Sequence, residues 1–180
     1  MNERKKLCEG QDFLGRMQAV ICNRQEFCHN LSAFLSAARS VLQYACAEAK
    51  QTTGGQAWYE GRMSSDPILG WFRDKRDFNI HEAPVEPAAK ATLEINETVS
   101  SGESFLVVLR DKDGNVVETR GTATPPPKVA APTSTSSIRF TYFFIDWGGP
   151  DADVISLCAK YLSVLESIVE DGVAKGFISG

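Results

Sequence analysis

Asp66-Pro67-Ile68-Leu69-Gly70-Trp71-Phe72-Arg73-Asp74-Lys75-Arg76-Asp77-Phe78-Asn79-Ile80-His81 is the stretch on which the fold turns. It opens as a helix does: Asp66 can accept hydrogen bonds from free backbone N–H groups, and Pro67 fits the first turn. Pro84 closes it, because a proline disfavours helix at the residue before it, here Ala83. On a helical wheel started at Ile68, Gly70, Arg73, Asp74, Asp77 and His81 fall together at roughly 140–240°. Ile68, Leu69, Trp71, Phe72, Phe78 and Ile80 take the remaining arc, with Lys75 and Asn79 among them, so that face is mixed. Arg76 lands at about 80°, between Phe72 and Leu69. A cation pressed on apolar surface requires an anion, a partner subunit or a ligand phosphate, since leaving it unpaired costs about 3–5 kcal/mol.

Upstream the same period recurs. A first helix is predicted over Gln11 to Asn23, and a second over Gln25 to Lys50. In the second, Phe27, Leu31, Phe34, Leu35, Ala38, Val41, Leu42 and Ala45 repeat at three and four, the mark of a core-facing helix. His29 and Arg39 lie off that stripe and read as solvated surface, with a basic patch as the alternative. Gly54 or Gly55 ends the helix, and Trp58 to Met63 makes a short helical turn before Asp66. Trp58 and Tyr59 read as core or interface aromatics.

Downstream of Pro84 and Pro87 the period becomes that of strands. Ala91 to Asn96 alternates, with Leu93 and Ile95 on one face, and Phe105 to Leu109 is a short apolar run. Asp111-Lys112-Asp113-Gly114-Asn115 reads as a hairpin turn leading into Val116 to Arg120. It is no EF-hand: the twelfth position counted from Asp111 is Thr122, where that calcium loop needs a glutamate. Thr122 to Ser137, with three consecutive prolines and a Ser/Thr run, reads as a linker. Ile138 to Trp147 is a strand with aromatic residues on alternating positions, expected to be covered on both faces. Asp151 is the expected N-cap of a last helix, on which Val154, Leu157, Cys158, Tyr161, Leu162, Leu165, Ile168 and Val169 form one stripe.

Composition narrows the classes. A chain of 180 residues with 43% hydrophobic and 23% charged residues is ordinary for one soluble domain with a real core. Net charge is −4 and the isoelectric point about 5.3, so any nucleic-acid contact must come from a local patch. No apolar run reaches the roughly 18–20 residues of a membrane span, and no apolar core of a signal peptide follows the charged N-terminus. The five cysteines lack the spacings of a zinc site. Cys22, Cys28, Cys46 and Cys158 read as small core residues of a reducing cytosol, which makes the expected location cytoplasmic. There is no Gly-rich phosphate loop and no Ser/His/Asp arrangement.

Arg76-Asp77-Phe78-Asn79-Ile80-His81 resembles the Arg-x4-His signature of the HEPN superfamily, with Asp77 as the polar residue after the arginine. Asp66 to Phe72 before it and Glu82 after it resemble an uncharacterised bacterial branch of HEPN-like proteins. The resemblance covers Phe27 to His81 well and Ile138 to Val169 loosely. It implies a mainly α fold: a HEPN-like four-helix bundle with a small antiparallel β insertion of three or four strands before the C-terminal helix. Residues 1–180 then form a single HEPN-like domain, with helices over about 11–83 and 151–175. The insertion spans about 91–147, its Pro-rich loop 122–137.

Many members of that superfamily are metal-independent endoribonucleases whose Arg and His act on RNA at a dimer seam. The resemblance therefore implies RNA cleavage or RNA binding by a homodimer, with no metal and no cofactor. An antitoxin protein of unknown identity is a further candidate partner. The alternative is a catalytically inactive HEPN-like module that binds nucleotide or protein. The residue chemistry agrees with the active form. Histidine titrates near neutrality and can serve as base or acid, and the planar arginine fork matches phosphate oxygens. Arg76, His81 and Asp77 are the catalytic candidates, Asp77 standing four residues before His81, where it can orient the imidazole. Arg73, Asn79 and Glu82 are the candidates for substrate contacts.

A straight helix sets Arg76 and His81 about 140° apart. Convergence on one phosphate needs the helix to unwind before Pro84, Arg76 to reach around, or Arg76 of one subunit to meet His81 of another. A structural role competes with all three. An Arg73–Asp77 pair on an exposed face, His81 at a helix C-terminus, and Arg76 paired with Glu166 or Glu170 would together explain the same residues.

Overall fold

The computed structural model describes residues 2–98, 106–121, 133–149 and 153–180. Among them the chain is mainly α, with helices α1 (Asn2–Ala19), α2 (Arg24–Ala49), α3 (Gly55–Ser65), α4 (Pro67–His81) and α5 (Val154–Ala174). Four strands lie between the last two helices: β1 (Ala88–Thr98), β2 (Leu106–Arg110), β3 (Val116–Gly121) and β4 (Thr133–Phe143). Contacts divide the chain into a helical unit, 1–91 with 140–180, and a strand unit, 92–139.

In the helical unit α2 is the hub, since α1, α3, α4 and α5 all pack against it. Its predicted stripe from Phe27 to Ala45 is buried throughout, as is the stripe of α5 from Val154 to Val169. Burial of each large apolar side chain contributes about 1.5–3 kcal/mol. Phe72 of α4 sits where these helices meet. It stacks on Tyr161 at 4.2 Å and meets Phe34 and Phe144 edge-on, both at 6.3 Å. The end of β4 returns to this core. Tyr142 stacks on Phe27 at 3.9 Å and its hydroxyl donates to the Ile21 carbonyl, while Phe144 meets Trp71 at 4.8 Å.

Several elements depart from the sequence reading, each for a local reason. α1 starts at Asn2 rather than Gln11, because Leu7, Gly10, Leu14 and Met17 carry the apolar spacing back through a charged segment. Trp58 to Met63 belongs to a full helix, α3, so there are five helices among the described residues instead of four main ones. Gly54 does not end α2; with φ of 83° it begins α3. Gly55 follows so tightly that a Cβ there would stand 2.1 Å from the Ala49 carbonyl oxygen. The N-cap of α5 is Asp153, whose carboxylate accepts from both the N–H and the hydroxyl of Ser156. Asp151 lies outside the described residues. Of the four cysteines read as core, Cys158 is buried and Cys28 and Cys46 are half-buried, while Cys22 is exposed in the α1–α2 turn.

The insertion of three or four strands expected before the last helix is present with four among the described residues, arranged as two two-stranded sheets, β1 with β4 and β2 with β3. β2 and β3 are an antiparallel hairpin running from Leu106 opposite Gly121 to Arg110 opposite Val116. The turn is the expected one. Asp111 accepts from the N–H groups of Asp113 and Asn115, and Gly114 has φ of 87°. Those hydrogen bonds, that of the Asn115 backbone first, hold the Asp111 carboxyl below its ordinary value. Leu93 and Ile95 of β1, expected on one face, are both exposed. β4 begins within the Ser/Thr run read as linker; the remainder of that linker, 122–132, lies outside the described residues. Nor is the Ile138 to Trp147 segment covered on both faces. Tyr142 and Phe144 are buried, but Ile138 and Ile145 are exposed, Ile145 at 84%.

Candidate functional site

Helix α4 carries all but one of the sequence candidates, and both its ends are fixed. Asp66 accepts from the Ile68 N–H at 2.9 Å, as a cap should. At the other end the N–H groups of Glu82 and Ala83 both donate to the Phe78 carbonyl. Asn79 then ties the exit down: its amide nitrogen donates to the Ser32 hydroxyl of α2 at 2.7 Å, and its oxygen accepts from the Val85 N–H at 3.0 Å. Asn79 is thus engaged on both sides as a clamp between α2, α4 and the chain that follows. Glu82, the one candidate beyond the helix, is its C-cap and is exposed.

Because α4 stays helical through His81, the unwinding that could bring Arg76 and His81 together does not occur. Arg76 does not reach around either. Its side chain is 23% exposed and donates from Nη1 to Asp77 at 3.0 Å, while Nε is buried without an acceptor. Its partner is therefore its own neighbour and not Glu166 or Glu170, both of which are exposed on α5. Asp77 in turn does not orient His81. Among the described residues His81 is exposed and makes no hydrogen bond or ion pair. Arg73 pairs with Asp74 at 2.9 Å instead of Asp77. Within one copy the guanidinium and the imidazole diverge by about 140°.

Two other features of the helical unit were not among the site residues the sequence suggested. Lys75, in the mixed arc of the wheel, is 17% exposed and bonds to Asp146 at 2.6 Å. Its ammonium lies 5.3 Å from the Trp71 ring, 5.7 Å from Phe144 and 5.9 Å from Phe78. It floors a cleft of about 450 Å³ lined also by Pro84, Val85 and Ile145. With three rings and a carboxylate around it, Lys75 acts as a latch between α4 and the segment after β4.

The second feature is Arg39, read as solvated surface from its place off the α2 stripe. It is half-buried instead, with Nε and Nη1 both sealed from solvent and without acceptors. It stands beside the Tyr59 hydroxyl and within electrostatic range of Tyr161. Burial pushes the Tyr59 hydroxyl above its ordinary value and the Tyr161 hydroxyl much further, so both stay protonated donors at neutral pH. Helical periodicity reports only the angle at which Arg39 leaves α2. Its neighbour Tyr59 comes from α3, which no spacing within α2 could reveal.

Among the described residues no helix is long and apolar enough to cross a membrane, and no three His, Cys, Asp or Glu side chains cluster as metal ligands would. The chain matches no family model, no curated protein and no solved structure.

Proposed function

We propose that this chain is a HEPN-like endoribonuclease that works as a twofold dimer without a metal, each cleft taking Arg76 from one copy and His81 from the other. The observation that carries the reading is the unbroken course of α4 through His81. It keeps the two groups apart in one copy, with Arg76 held by Asp77 and His81 left free and exposed. Two α4 helices crossing antiparallel about an axis level with Phe78 and Asn79 set Arg76 of each copy beside His81 of the other. Ile80, which falls between Arg76 and His81 on the helical wheel, is 47% exposed, apolar surface of the kind a partner covers.

In such a cleft the chemistry balances without further groups. The 2′-hydroxyl of RNA attacks the adjacent phosphorus, forming a 2′-O–P bond as the P–O5′ bond breaks. One proton leaves the 2′-oxygen and one reaches the 5′-oxygen, and His81 can carry either transfer. Arg76 offers its fork to the non-bridging oxygens, where negative charge builds in the transition state. Asp77 aims that fork.

The second reading, a HEPN-like module that binds without cleaving, draws on the same engagement of Arg76, Asp77 and Asn79 inside one copy. Incubation of the protein with a mixed RNA pool in excess chelator separates the two. Cleavage that falls by about 10²-fold or more in His81→Ala and in Arg76→Ala, with circular dichroism unchanged, is the expected result. RNA left intact by the wild-type protein leaves only the binding module.

A further inference from the structure

The cleft floored by Lys75 does not stand alone. A second cavity, of about 610 Å³, shares Lys75, Phe78 and Asp146 with it and adds Trp71, Asp74 and Glu82. The shared walls are open to solvent: Phe78 is 40% exposed, and Ile145 beside it in the first cavity is 84% exposed. At the floor Lys75 Nζ pairs with Asp146 Oδ2 at 2.6 Å. That leaves the ammonium with N–H groups to spare and Asp146 Oδ1 without a partner among the described residues. Free donors and a free acceptor thus converge beside aromatic and apolar walls, the make-up of a small-ligand pocket. Charge narrows the occupant. Asp74, Glu82 and Asp146 outnumber the single ammonium of the second cavity, so a phosphate is repelled and a neutral planar group rich in N–H donors is favoured. Position narrows it further. On the helical wheel Trp71, Lys75, Phe78 and Glu82 fall at about 280–340°, clear of the arc from Arg76 through Ile80 to His81 that a second copy would cover. Phe78 stands three residues before His81, so the two are neighbours along that edge of α4.

We propose that this cleft takes an unstacked guanine base of the RNA strand, laid against Phe78, next to the phosphodiester that is cut. That the strand is a substrate rests on the ribonuclease reading; the base preference rests on the cleft. Guanine carries two adjacent N–H donors, at N1 and N2, beside the O6 carbonyl. Asp146 accepts from the two donors, and Lys75 donates to O6 or N7. Adenine and cytosine offer one amino group on that edge and uracil one imino N–H, so none of them engages the carboxylate twice. The bond between Lys75 and Asp146 serves this purpose, because it holds a donor and an acceptor side by side before the base arrives. Phe78 supplies the stacking that any base would use, and Asp146 with Lys75 makes the choice among bases. Phosphate contact is left to Arg76 and His81, outside the ring of carboxylates.

The test uses short 2′-O-methyl oligouridines, which cannot be cleaved, carrying guanosine, adenosine, cytidine or uridine at the central position, with binding read by anisotropy of an end label at one salt concentration. Wild-type protein is expected to bind the guanosine oligomer about tenfold more tightly than the other three. Asp146→Asn is expected to bring all four within about twofold. Glu170→Gln, which removes the same charge from an exposed position of α5, should leave the preference as it is. Phe78→Ala is expected to weaken all four by about tenfold, and it stands in if Asp146→Asn fails to fold. Equal binding of the four oligomers by wild type, a preference untouched in Asp146→Asn, or undiminished binding in Phe78→Ala overturns the proposal. So does binding of penta-arginine that depends on Asp146 while no oligonucleotide binds, since the cleft then belongs to a basic protein segment. The two readings also fail differently. Guanosine-selective binding by a protein that cleaves no unmodified RNA keeps the cleft and removes the nuclease. Cleavage beside all four bases alike, unchanged in Asp146→Asn, keeps the nuclease and removes the cleft.

Discussion

Mixing Arg76→Ala protein with His81→Ala protein, each inactive alone, is expected to restore RNA cleavage to about a quarter of the wild-type rate. The figure follows from twofold symmetry. Random exchange of equal amounts makes about half of the dimers mixed, and each mixed dimer has one cleft with both groups intact and one with neither. The starting level is close to zero, because loss of a general acid–base group removes about 10²–10⁴-fold and loss of a cation at the developing charge removes a comparable factor. A double variant, Arg76→Ala with His81→Ala in one chain, is the control, since mixing it with either single variant restores nothing. If cleavage by wild type is robust but the two single variants never complement, the reacting pair lies within one copy. That outcome would require α4 to open between Arg76 and His81, against the hydrogen bonding that carries it to Glu82.

Phe72→Ala is expected to destabilise the helical unit by about 3–5 kcal/mol. Phe72 is 1% exposed and joins rings from three elements: Phe34 of α2, Tyr161 of α5 and Phe144 just after β4. Its loss removes the stacked partner of Tyr161 and leaves a void that three aromatic neighbours cannot jointly fill, because each is held by other contacts. Against a total stability of about 5–15 kcal/mol, this brings the protein close to unfolding at 37 °C. The melting temperature should fall by roughly 6–20 °C, at about 2–4 °C per kcal/mol for a chain of this size. Ile80→Ala, at a largely exposed position of the same helix, should change stability by no more than about 0.5 kcal/mol in the monomer. A fall of only a few degrees for Phe72→Ala would mean that the aromatic cluster does not hold these elements together.

The parts of the fold that sequence makes legible are those set by period alone. Every residue of the α5 stripe from Val154 to Val169 is buried, and Asp66 caps α4 as its chemistry demands. Ends and junctions are less legible, since competing signals sit side by side. Gly54 can stop one helix or start the next, and the choice depends on how closely Gly55 approaches Ala49. Asp151 and Asp153 are both fit to cap α5, and Ser156 decides for Asp153 by donating two hydrogen bonds. The strands mislead in another way. Alternation in Leu93 and Ile95 says that two side chains share a face, not that anything covers it.

For the site, the same distinction separates what is readable from what is not. The wheel places Arg76 against apolar surface, and its side chain is indeed mostly buried. What the wheel cannot supply is the partner, which proves to be Asp77 one residue on. Arg39 is the stronger case. Its angle on α2 reads as solvent, whereas two of its nitrogens are sealed from solvent and Tyr59 of α3 stands beside it. Lys75 likewise acquires its meaning only from Asp146 and Phe144, which the chain reaches after the strands.

One measurement bears on the dimeric nuclease most directly: size-exclusion fractions of the wild-type protein, each assayed for cleavage of a mixed RNA pool in excess chelator. The expected result is cleavage that travels with a species of twice the 19.7 kDa chain mass and disappears from the same fraction of His81→Ala protein. RNA left intact across every fraction, or cleavage carried by a species of single-chain mass, would contradict it.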